Sequence, residues 1–398
     1  NMTNFKTLDD IDVTERRVLV RADLNVPMSD GLVTDNSRLS SLVPTLKELV
    51  DRKARICVLS HLGRPGGKVV PSLSLKPVSD ALGECLGRPI SFASDCMGGI
   101  ARSIVSELGE GEIAVLENLR FYSEEEDNDI DFARSLAEHG DFYVNDAFSV
   151  SHRAHASTAA IANLLPSVAG RLMELELDSL TNAFMNPERP LIAIIGGSKI
   201  STKIDLLVSL SQKVDSLIVG GGMANTFLNA KGVSVGKSLC EYDMAATARK
   251  IMETARNSEC NLVLPIDAVI SKKFEKGGLV QTVDIDEIPQ DKMVLDVGPK
   301  SLLVMGEIIK GGKTVIWNGP IGAFEIKPFD HGTSVLSKLT ADLSIKGDFC
   351  SIAGGGDTVA ALNQSGVTDF FSYVSFAGGA FLEWLEGKKL PGVEALTR

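Results

Sequence analysis

Short apolar runs alternate with helix-like patterns along almost all of the 398 residues. The first half contains RVLVRADLNV, ARICVLSHLG, EIAVLENLRF and DFYVNDAF, and the second half contains LIAIIGG, SLIVGGG, NLVLPID, MVLDVG, TVIWNGP, FCSIAGGGD and SYVSFAGG. Strand and helix signals in this alternation predict parallel sheets that are covered by helices on both faces. Each half is therefore expected to form a doubly wound α/β domain.

The length also favours two domains, because a single core rarely grows to this size. Between the halves, Leu172, Leu175, Leu180 and Phe184 recur at helical spacing. We expect two Rossmann-like parallel-sheet domains, 1–170 and 171–384, joined by a connecting helix at about 170–186 and enclosing a cleft. Ligands of such sheets bind beyond the carboxyl ends of the strands, so the chemistry should lie there.

Composition and charge exclude several classes of protein. The chain is 44% hydrophobic and 23% charged, and no apolar run approaches the roughly 20 residues that span a bilayer. A net charge of −12 argues against a nucleic-acid or anionic-membrane surface. Six cysteines stand far apart without a Cys-x-x-Cys pair, which favours reduced thiols over a zinc site or disulfides. We expect a cytoplasmic protein in which an anionic substrate would need a local basic patch.

The basic residues change type along the chain. Residues 1–171 contain 13 arginines and 5 lysines, whereas residues 172–398 contain 4 arginines and 18 lysines. Arginine grips a carboxylate or phosphate with two parallel hydrogen bonds, whereas lysine acts as a mobile point charge. Either the two halves bind anions in different ways or the composition merely drifts.

Polar side chains follow the strands that are predicted in the first half. Strand periodicity places Arg21, Asp23 and Asn25 on one face. For Arg21 we favour an internal pair with an aspartate, and for Asp23 and Asn25 a binding role. Four successive strand ends bring arginine or histidine to one sheet edge, which predicts an anion site. Besides Arg21, the cations are His61 and Arg64 in SHLGRP, Arg120 in ENLRF, Arg153 between His152 and His155, and Arg38 at the next helix start.

Two features near this edge have competing explanations. His152 and His155 could bind a metal, but no cysteine or third histidine lies nearby in sequence. Hydrogen bonding to a phosphate, or holding Arg153, is therefore favoured. The acidic run Glu124–Asp127 is interpreted as a solvated turn.

Glycine marks the strand ends of the second half. The clusters are Gly196-Gly197, Gly220–Gly222, Gly298, Gly319 and Gly354–Gly356. Glycine lets a backbone approach a ligand closely, and a strand-to-helix turn then aims free N–H groups at it. A nucleotide polyphosphate fits such a surface, although ordinary turns would explain any one cluster.

The stretch GGSKISTK places Lys199 and Lys203 four residues apart at the predicted start of a helix. At that spacing they would share a face and repel each other, so an anion is expected nearby. Neither the P-loop motif nor the dinucleotide-binding fingerprint is present. In GGGDT, Asp357 and Thr358 are predicted at cap positions, where Asp357 is either a simple cap or, as we favour, a ligand of Mg²⁺.

Taken in order, these motifs closely resemble those of phosphoglycerate kinases over essentially the whole chain. The motifs are RVLVRADLNVP, LSHLGRP, ENLRF, NDAFSVSHRAHAS, GGSKISTK, GGGMANTF, WNGPIGAFE, AGGGDT and LEGKKLPGV. The resemblance implies a monomeric two-domain enzyme that moves a phosphoryl group between 1,3-bisphosphoglycerate and Mg-ADP, giving 3-phosphoglycerate and Mg-ATP. It also implies hinge closure, and that residues 385–398 return to the first domain.

The resemblance also implies roles for individual residues. The catalytic pair would be Arg38 and Lys199, and Asp357 would hold Mg²⁺. The phosphoglycerate would contact Asp23, Asn25, Arg38, His61, Leu62, Gly63, Arg64, Arg120 and Arg153 in the first domain. The nucleotide would contact Lys203, Gly220, Gly221, Asn318, Glu325, Gly354, Gly355, Gly356, Asp357 and Thr358 in the second domain.

One stretch departs from the family pattern. Phe376 and Ala377 stand where the family usually has Thr-Gly, which removes a hydroxyl near the expected hinge and puts the catalytic rate in doubt. Two other functions fit the residues less well. A dinucleotide-dependent dehydrogenase lacks its fingerprint, and a non-catalytic anion-binding protein does not explain the lysine-glycine half.

Overall fold

Two six-stranded parallel sheets organise the structure, a computed structural model that describes residues 4–397. The described residues form two compact units. Unit 1 runs to Asp178 and resumes at Lys389, and unit 2 is Ser179–Lys388. Both sheets confirm the predicted α/β class with parallel strands.

The strands of unit 1 are short and mostly buried. They are β1 (Arg17–Arg21), β2 (Met28–Ser29), β3 (Leu32–Val33), β4 (Arg55–Leu59), β5 (Ser91–Ala93), β6 (Ile113–Leu116), β7 (Phe142–Asn145) and β8 (Ser167–Ala169). The sheet order is β5-β6-β4-β1-β7-β8, and β2 and β3 form a separate antiparallel pair. The helices are α1 (Ser37–Asp51), α2 (Lys76–Leu86), α3 (Gly98–Ser106), α4 (Ser123–Glu126), α5 (Ile130–Ala137) and α6 (Arg171–Leu180), which crosses into unit 2.

Burial on both faces explains why the strands of unit 1 are continuously apolar. Val18 and Val20 of β1 belong to one hydrophobic cluster, and Leu19 between them belongs to another. Side chains alternate across a strand, so each face of the sheet packs against its own layer of helices.

The strands of unit 2 are β9 (Leu191–Ile195), β10 (Ser216–Val219), β11 (Asn261–Val263), β12 (Asp267–Ser271), β13 (Val280–Asp284), β14 (Met293–Val297), β15 (Thr314–Asn318), β16 (Cys350–Gly354) and β17 (Tyr373–Ser375). The helices are α7 (Ile204–Ser211), α8 (Gly221–Ala230), α9 (Ala245–Asn257), α10 (Pro299–Lys310), α11 (His331–Ile345), α12 (Gly356–Ser365) and α13 (Gly379–Leu385); α14 (Pro391–Glu394) belongs to unit 1. The parallel order β11-β10-β9-β15-β16-β17 is that of dinucleotide-binding folds.

One apolar run of the second half does not join the parallel sheet. MVLDVG forms β14, which pairs antiparallel with β12 in a three-stranded sheet. The expectation that every such run contributes a parallel strand is therefore wrong. A five-residue apolar run specifies a strand but not its partner, because pairing depends on residues distant in sequence.

The residues after Lys389 pack on unit 1. Gly392 N donates to Ser151 O at 2.9 Å, and Lys6 N donates to Leu396 O at 2.9 Å. Among residues 4–397, no helix is both long enough and apolar enough to cross a membrane.

The start of α6 is held by a buried carboxylate. Asp146, directly after β7, accepts a hydrogen bond at Oδ1 from Met173 N at 3.0 Å, and Thr45 Oγ1 accepts one from Arg171 N at 2.9 Å. Asp146 Oδ2 has no hydrogen-bond partner among the described residues. Burial therefore raises the pKa of Asp146 to about 6.

The raised pKa predicts a pH-dependent effect of Asp146→Asn. The folded chain keeps this proton where the unfolded chain has lost it, so Asp146 lowers the free energy of unfolding as pH rises from about 4 to 6. Asparagine cannot titrate. Across that pH window we therefore expect the free energy of unfolding of the variant to rise by up to ~3 kcal/mol relative to that of the parent chain. Denaturant unfolding of both chains at several pH values measures the difference. A difference that stays constant with pH would contradict the assignment.

Candidate functional site

The strand order of unit 1 reverses between β1 and β7, since the chain passes from β1 to β4 on one side and later to β7 on the other. Such a switch point leaves a crevice outside the carboxyl ends of the strands. A cavity of about 220 Å³ is lined by residues that follow β1, β4, β6 and β7. They are Asn25, His61, Gly63, Arg64, Arg120, Ser149, Val150, His152 and Arg153.

Asp23 and Asn25 tie loops together at this edge. Asp23 Oδ2 accepts hydrogen bonds from Arg38 Nη1 and Ser149 Oγ. Asn25 Oδ1 accepts one from Gly63 N at 3.0 Å. Both residues lie beyond the end of β1, so the prediction that strand periodicity aligns them with the last strand residue is wrong.

The other predicted arginines differ in whether their side chains make hydrogen bonds within the chain. Arg120 is buried and donates from Nη1 to Gly63 O at 3.0 Å. The side chains of Arg64 and Arg153 are exposed and make no hydrogen bond or ion pair with a described residue. Leu62 directs its side chain into the hydrophobic core. Two guanidinium groups of the cavity are therefore available to an anion.

Arg21 is fully buried and internally paired, as the sequence suggested, but its acidic partner is a glutamate. Glu125 Oε2 lies 3.9 Å from Arg21 Nη2, and both side chains are 0% exposed. Glu125 also accepts hydrogen bonds from Ser157 N at 2.8 Å and Ser157 Oγ at 2.6 Å. The interpretation of Glu124–Asp127 as a solvated turn is wrong for Glu125, which sequence reasoning missed because its neighbours are all acidic.

The positively charged form is disfavoured for two histidines at this edge, His61 and His155. Burial, followed by the charges of Arg21 and Arg120, holds the pKa of His61 well below its ordinary value. Burial and the same arginines lower the pKa of His155 to about 4. No group of three or more His, Cys, Asp or Glu side chains in residues 4–397 is arranged to bind a metal.

In unit 2 the strand order reverses between β9 and β15, and glycines line that point. A Cβ on Gly196 would lie 1.8 Å from Pro320 O, and one on Gly220 would lie 2.5 Å from Ile321 Cβ. Gly221 has φ +71°, which favours glycine. At these positions glycine lets the strand-end loops pack against one another. The sequence had predicted a close approach to a ligand, not this packing between loops.

Lys199 and Lys203 do not share a helix face, so the prediction from their spacing is wrong. A 3₁₀ turn, Ile200–Thr202, separates them, and α7 begins only after Lys203. Lys199 is extended and exposed. Lys203 is half-buried and donates from Nζ to Gly196 O and Asn318 Oδ1, both at 2.8 Å.

The loop before α12 combines buried and open positions. Gly355, with φ +101°, is the N-cap, so the prediction of Asp357 and Thr358 as caps is wrong. Thr358 Oγ1 is buried and accepts a hydrogen bond from Gly319 N at 2.7 Å. Gly356 faces open space. Asp357 is exposed and makes no hydrogen bond or ion pair with a described residue.

Asn318 fastens this loop to β15. Its Nδ2 donates to Gly354 O at 2.8 Å, while its Oδ1 accepts the hydrogen bond from Lys203. The predicted residues at the carboxyl ends of β15 and β16, Asn318 and Gly354, and Lys203 after β9 are therefore connected by direct hydrogen bonds.

A cavity of about 420 Å³ opens beside this network and is mainly apolar. Its lining includes Leu228, Leu239, Met293 and Ile321, together with residues of the loops after β9 and β10. The predicted residues Glu325 and Asp357 belong to it, as do Gly221 and Gly222.

Sequence reasoning missed Asp296, which also lines the larger cavity. Its Oδ2 accepts a hydrogen bond from Gly332 N at 2.9 Å, and its Oδ1 accepts one from Val297 N at 2.8 Å. Burial raises the pKa of Asp296 to about 7. The available signal was a lone carboxylate inside the apolar run MVLDVG.

The family model for phosphoglycerate kinase matches residues 8–388. The chain belongs to the phosphoglycerate kinase family. It is 54% identical to the phosphoglycerate kinase of Mesorhizobium japonicum over 398 residues, covering 100% of both chains. It is also 54% identical to that of Methylorubrum extorquens, covering 99% of both.

Solved phosphoglycerate kinase structures share the fold. The structure from Coxiella burnetii has a TM-score of 0.92 at 41% identity, covering 98% of each chain. The structure from Pyrococcus horikoshii has a TM-score of 0.79 at 28% identity, again covering 98% of each chain. The chain is accordingly a phosphotransferase and kinase of glycolysis, and neither the dehydrogenase nor the non-catalytic alternative is retained.

The departure from the family pattern lies directly after β17. Phe376 is 42% exposed, and Ala377 next to it is buried. Nothing in the structure explains the replacement, and its effect on the rate stays a prediction.

The structure predicts an unusual lysine in this kinase. Burial lowers the pKa of Lys203 to about 8, although the charge of Asp357 opposes the shift. Only an unprotonated amine reacts with acetic anhydride, so the acetylation of Lys203 should rise with pH through a midpoint near 8. Mass spectrometry of peptides from the ligand-free protein measures this midpoint. A midpoint in the ordinary lysine range, about 10, would contradict the structure.

Proposed function

We propose that this chain catalyses the reversible, Mg²⁺-dependent transfer of a phosphoryl group between 1,3-bisphosphoglycerate and ADP, and that the residues described above carry it. The observation that carries the assignment is the pair of free guanidinium groups, Arg64 and Arg153, on the cavity of unit 1. An unpaired cation at a switch point suits an anionic ligand, because charge-assisted hydrogen bonds to carboxylate and phosphate are strong.

The phosphoglycerate binds at the cavity of unit 1 in this proposal. Arg64, Arg120 and Arg153 supply guanidinium groups, and His61 supplies a neutral imidazole. Asp23 and Asn25 hold Arg38 and the backbone at Gly63 in place beside the site. The remaining assigned residues are Arg38, Leu62 and Gly63.

The nucleotide binds in unit 2. The apolar cavity fits a base and sugar, and the free backbone at the start of α12 fits phosphate oxygens. Lys203 lies beside the strand-end loops through its bonds to Gly196 and Asn318. The other assigned residues are Gly220, Gly221, Glu325, Gly354, Gly355, Gly356 and Thr358.

Asp357 is suited to hold Mg²⁺. Its carboxylate is exposed, lacks any hydrogen bond or ion pair with a described residue, and lines the nucleotide cavity. Mg²⁺ typically binds through one or two carboxylates together with phosphate oxygens and water. When bound, the ion would neutralise phosphate charge.

The transfer itself needs no enzyme nucleophile. A terminal oxygen of the ADP β-phosphate forms the new bond to phosphorus, and the bond from phosphorus to the carboxyl oxygen of the acyl phosphate breaks. The leaving group departs as the carboxylate of 3-phosphoglycerate, so no proton is transferred. The chain contributes by positioning the reactants and stabilising the charge that the phosphoryl oxygens carry. Arg38 and Lys199 are assigned to that stabilisation, and hinge closure stays a prediction.

Arg64→Met should weaken phosphoglycerate binding selectively. Loss of a hydrogen bond to a charged group costs ~1.5 to 3 kcal/mol, so the KM for 3-phosphoglycerate should rise by about tenfold or more. The KM for ATP should stay unchanged. Arg88→Met, another exposed arginine of unit 1, is the matched control. Equal effects on both substrates would count against a separate site in unit 1.

Lys199→Ala should act on the rate rather than on binding. Removal of a preorganised charge partner typically costs ~2.7 to 4 kcal/mol in the transition state, so kcat should fall by about 10² to 10³. Steady-state kinetics separates kcat from KM. Lys346→Ala, an exposed lysine at the end of α11, controls for charge. An unchanged kcat in Lys199→Ala would refute the role.

The overall reaction is tested by an assay that couples 3-phosphoglycerate-dependent ATP consumption to a readout, with and without Mg²⁺. Consumption that needs both 3-phosphoglycerate and Mg²⁺ supports the proposal, and binding without turnover contradicts it.

The family resemblance further supports a monomer in the cytoplasm that acts on small molecules. All six cysteines are free thiols, which suits a reducing compartment. Light scattering of the purified chain tests the oligomeric state.

A further inference from the structure

His61 is held by a buried chain of hydrogen bonds that the proposed mechanism does not use. Glu125 accepts from Ser157 Oγ at 2.6 Å, and Ser157 Oγ accepts from Arg21 Nε at 2.8 Å. Arg21 Nη2 then lies 3.0 Å from His61 Nδ1. Glu125, Ser157 and Arg21 are each 0% exposed, and His61 is 2% exposed. A chain of this length without solvent has few alternative arrangements.

The chemistry of Arg21 fixes the direction of its bond to His61. A guanidinium has only donors, so Nδ1 of the imidazole must be the acceptor. A neutral imidazole with a bare Nδ1 carries its proton on Nε2. The ring is neutral because burial and the surrounding arginines disfavour its charged form. His61 lines the cavity of unit 1, and Nδ1 is already occupied, which leaves Nε2 as the nitrogen available to a ligand.

We propose that Arg21, held in place by Glu125 through Ser157, is a positioning residue that keeps the His61 proton on Nε2, so that His61 donates a hydrogen bond to an oxygen of the bound phosphoglycerate. The choice of ligand rests on the proposed function, whereas the tautomer does not. With the other tautomer, Nε2 would present a lone pair to an anionic oxygen and repel it.

Glu125 is needed because Arg21 is buried. A buried guanidinium without a carboxylate would be strongly disfavoured, and its side chain would be free to turn away from His61. Ser157 accepts from Arg21 with the same hydroxyl that donates to Glu125, so it sets the angle of the guanidinium as well. Glu125 of the acidic run thus supports the site from inside the fold, although none of the described residues that line the cavity is acidic.

The tautomer can be read directly by NMR of the ligand-free protein with ¹⁵N-labelled histidine. The chain has five histidines, and the spectrum of His61→Gln identifies the signals of His61. We expect a protonated Nε2 and an unprotonated Nδ1. A protonated Nδ1 in the parent chain overturns the proposal without any further variant.

The double variant Arg21→Met/Glu125→Gln removes both buried charges together, so neither is left uncompensated. Its His61 signals should shift toward an average of the two tautomers. Asp146→Asn, which also alters a buried carboxylate of unit 1, should leave them unchanged. Unchanged His61 signals in the double variant would refute the role of Arg21. If the double variant does not fold, Ser157→Ala, which keeps both buried charges and removes the hydroxyl between them, is measured against the same expectation.

Kinetics separates positioning from a direct effect of the Arg21 charge on the substrate. The double variant should raise the KM for 3-phosphoglycerate by roughly tenfold or more, with the KM for ATP unchanged. Gln at position 61 keeps an N–H near the place of Nε2 and has no tautomer, so in the His61→Gln background the same double change should have little effect. An equal rise in both backgrounds would show that Arg21 acts through its charge alone, which overturns the proposal. A chain without phosphoglycerate turnover would refute the proposed function, yet the NMR result would still decide the tautomer.

Discussion

The direction of the strands is the constraint on which both candidate sites depend. All strands of each six-stranded sheet run parallel, so every strand delivers its carboxyl end to the same edge. The strand order reverses between β1 and β7 in unit 1 and between β9 and β15 in unit 2. Helices must leave in opposite directions at such a point, and the loops there are left open to a ligand.

The two units use that shared geometry in different ways. In unit 1 the loops carry guanidinium and imidazole groups, and carboxylates such as Asp23 and Glu125 orient them from behind. In unit 2 the loops carry glycine, and positions such as Gly196 and Gly220 bring backbone against backbone. In the proposed function, side chains select the ligand in unit 1, whereas close loop packing shapes the cavity in unit 2.

Sequence patterns predicted what depends on neighbours along the chain. Continuous apolar runs located most of the parallel strands because both faces of each sheet are buried, and clusters of arginine and histidine located the edge of unit 1. The runs missed β5 and β8, the two short outer strands of the unit 1 sheet. The patterns failed where a distant partner decides the outcome. The pairing of β14 depends on β12, and the burial of Glu125 depends on Ser157 and Arg21. Lys199 and Lys203 were misplaced because a 3₁₀ turn has no hydrophobic period to reveal it.

The positive charges at the cavity of unit 1 are not all neutralised by carboxylates of the described residues. Glu125 is paired with Arg21 and Ser157, and the cavity has no acidic side chain among its described lining residues. Arg153 has no acidic partner among the described residues. The excess positive charge also affects His155. Its pKa falls to about 4 through burial first and the neighbouring arginines next. A site that suppresses added positive charge in this way is one that a bound anion stabilises, because the anion supplies the counter-charge that the fold leaves out. In the proposed function, the free energy of anion binding therefore includes relief of the repulsion among these unpaired positive charges.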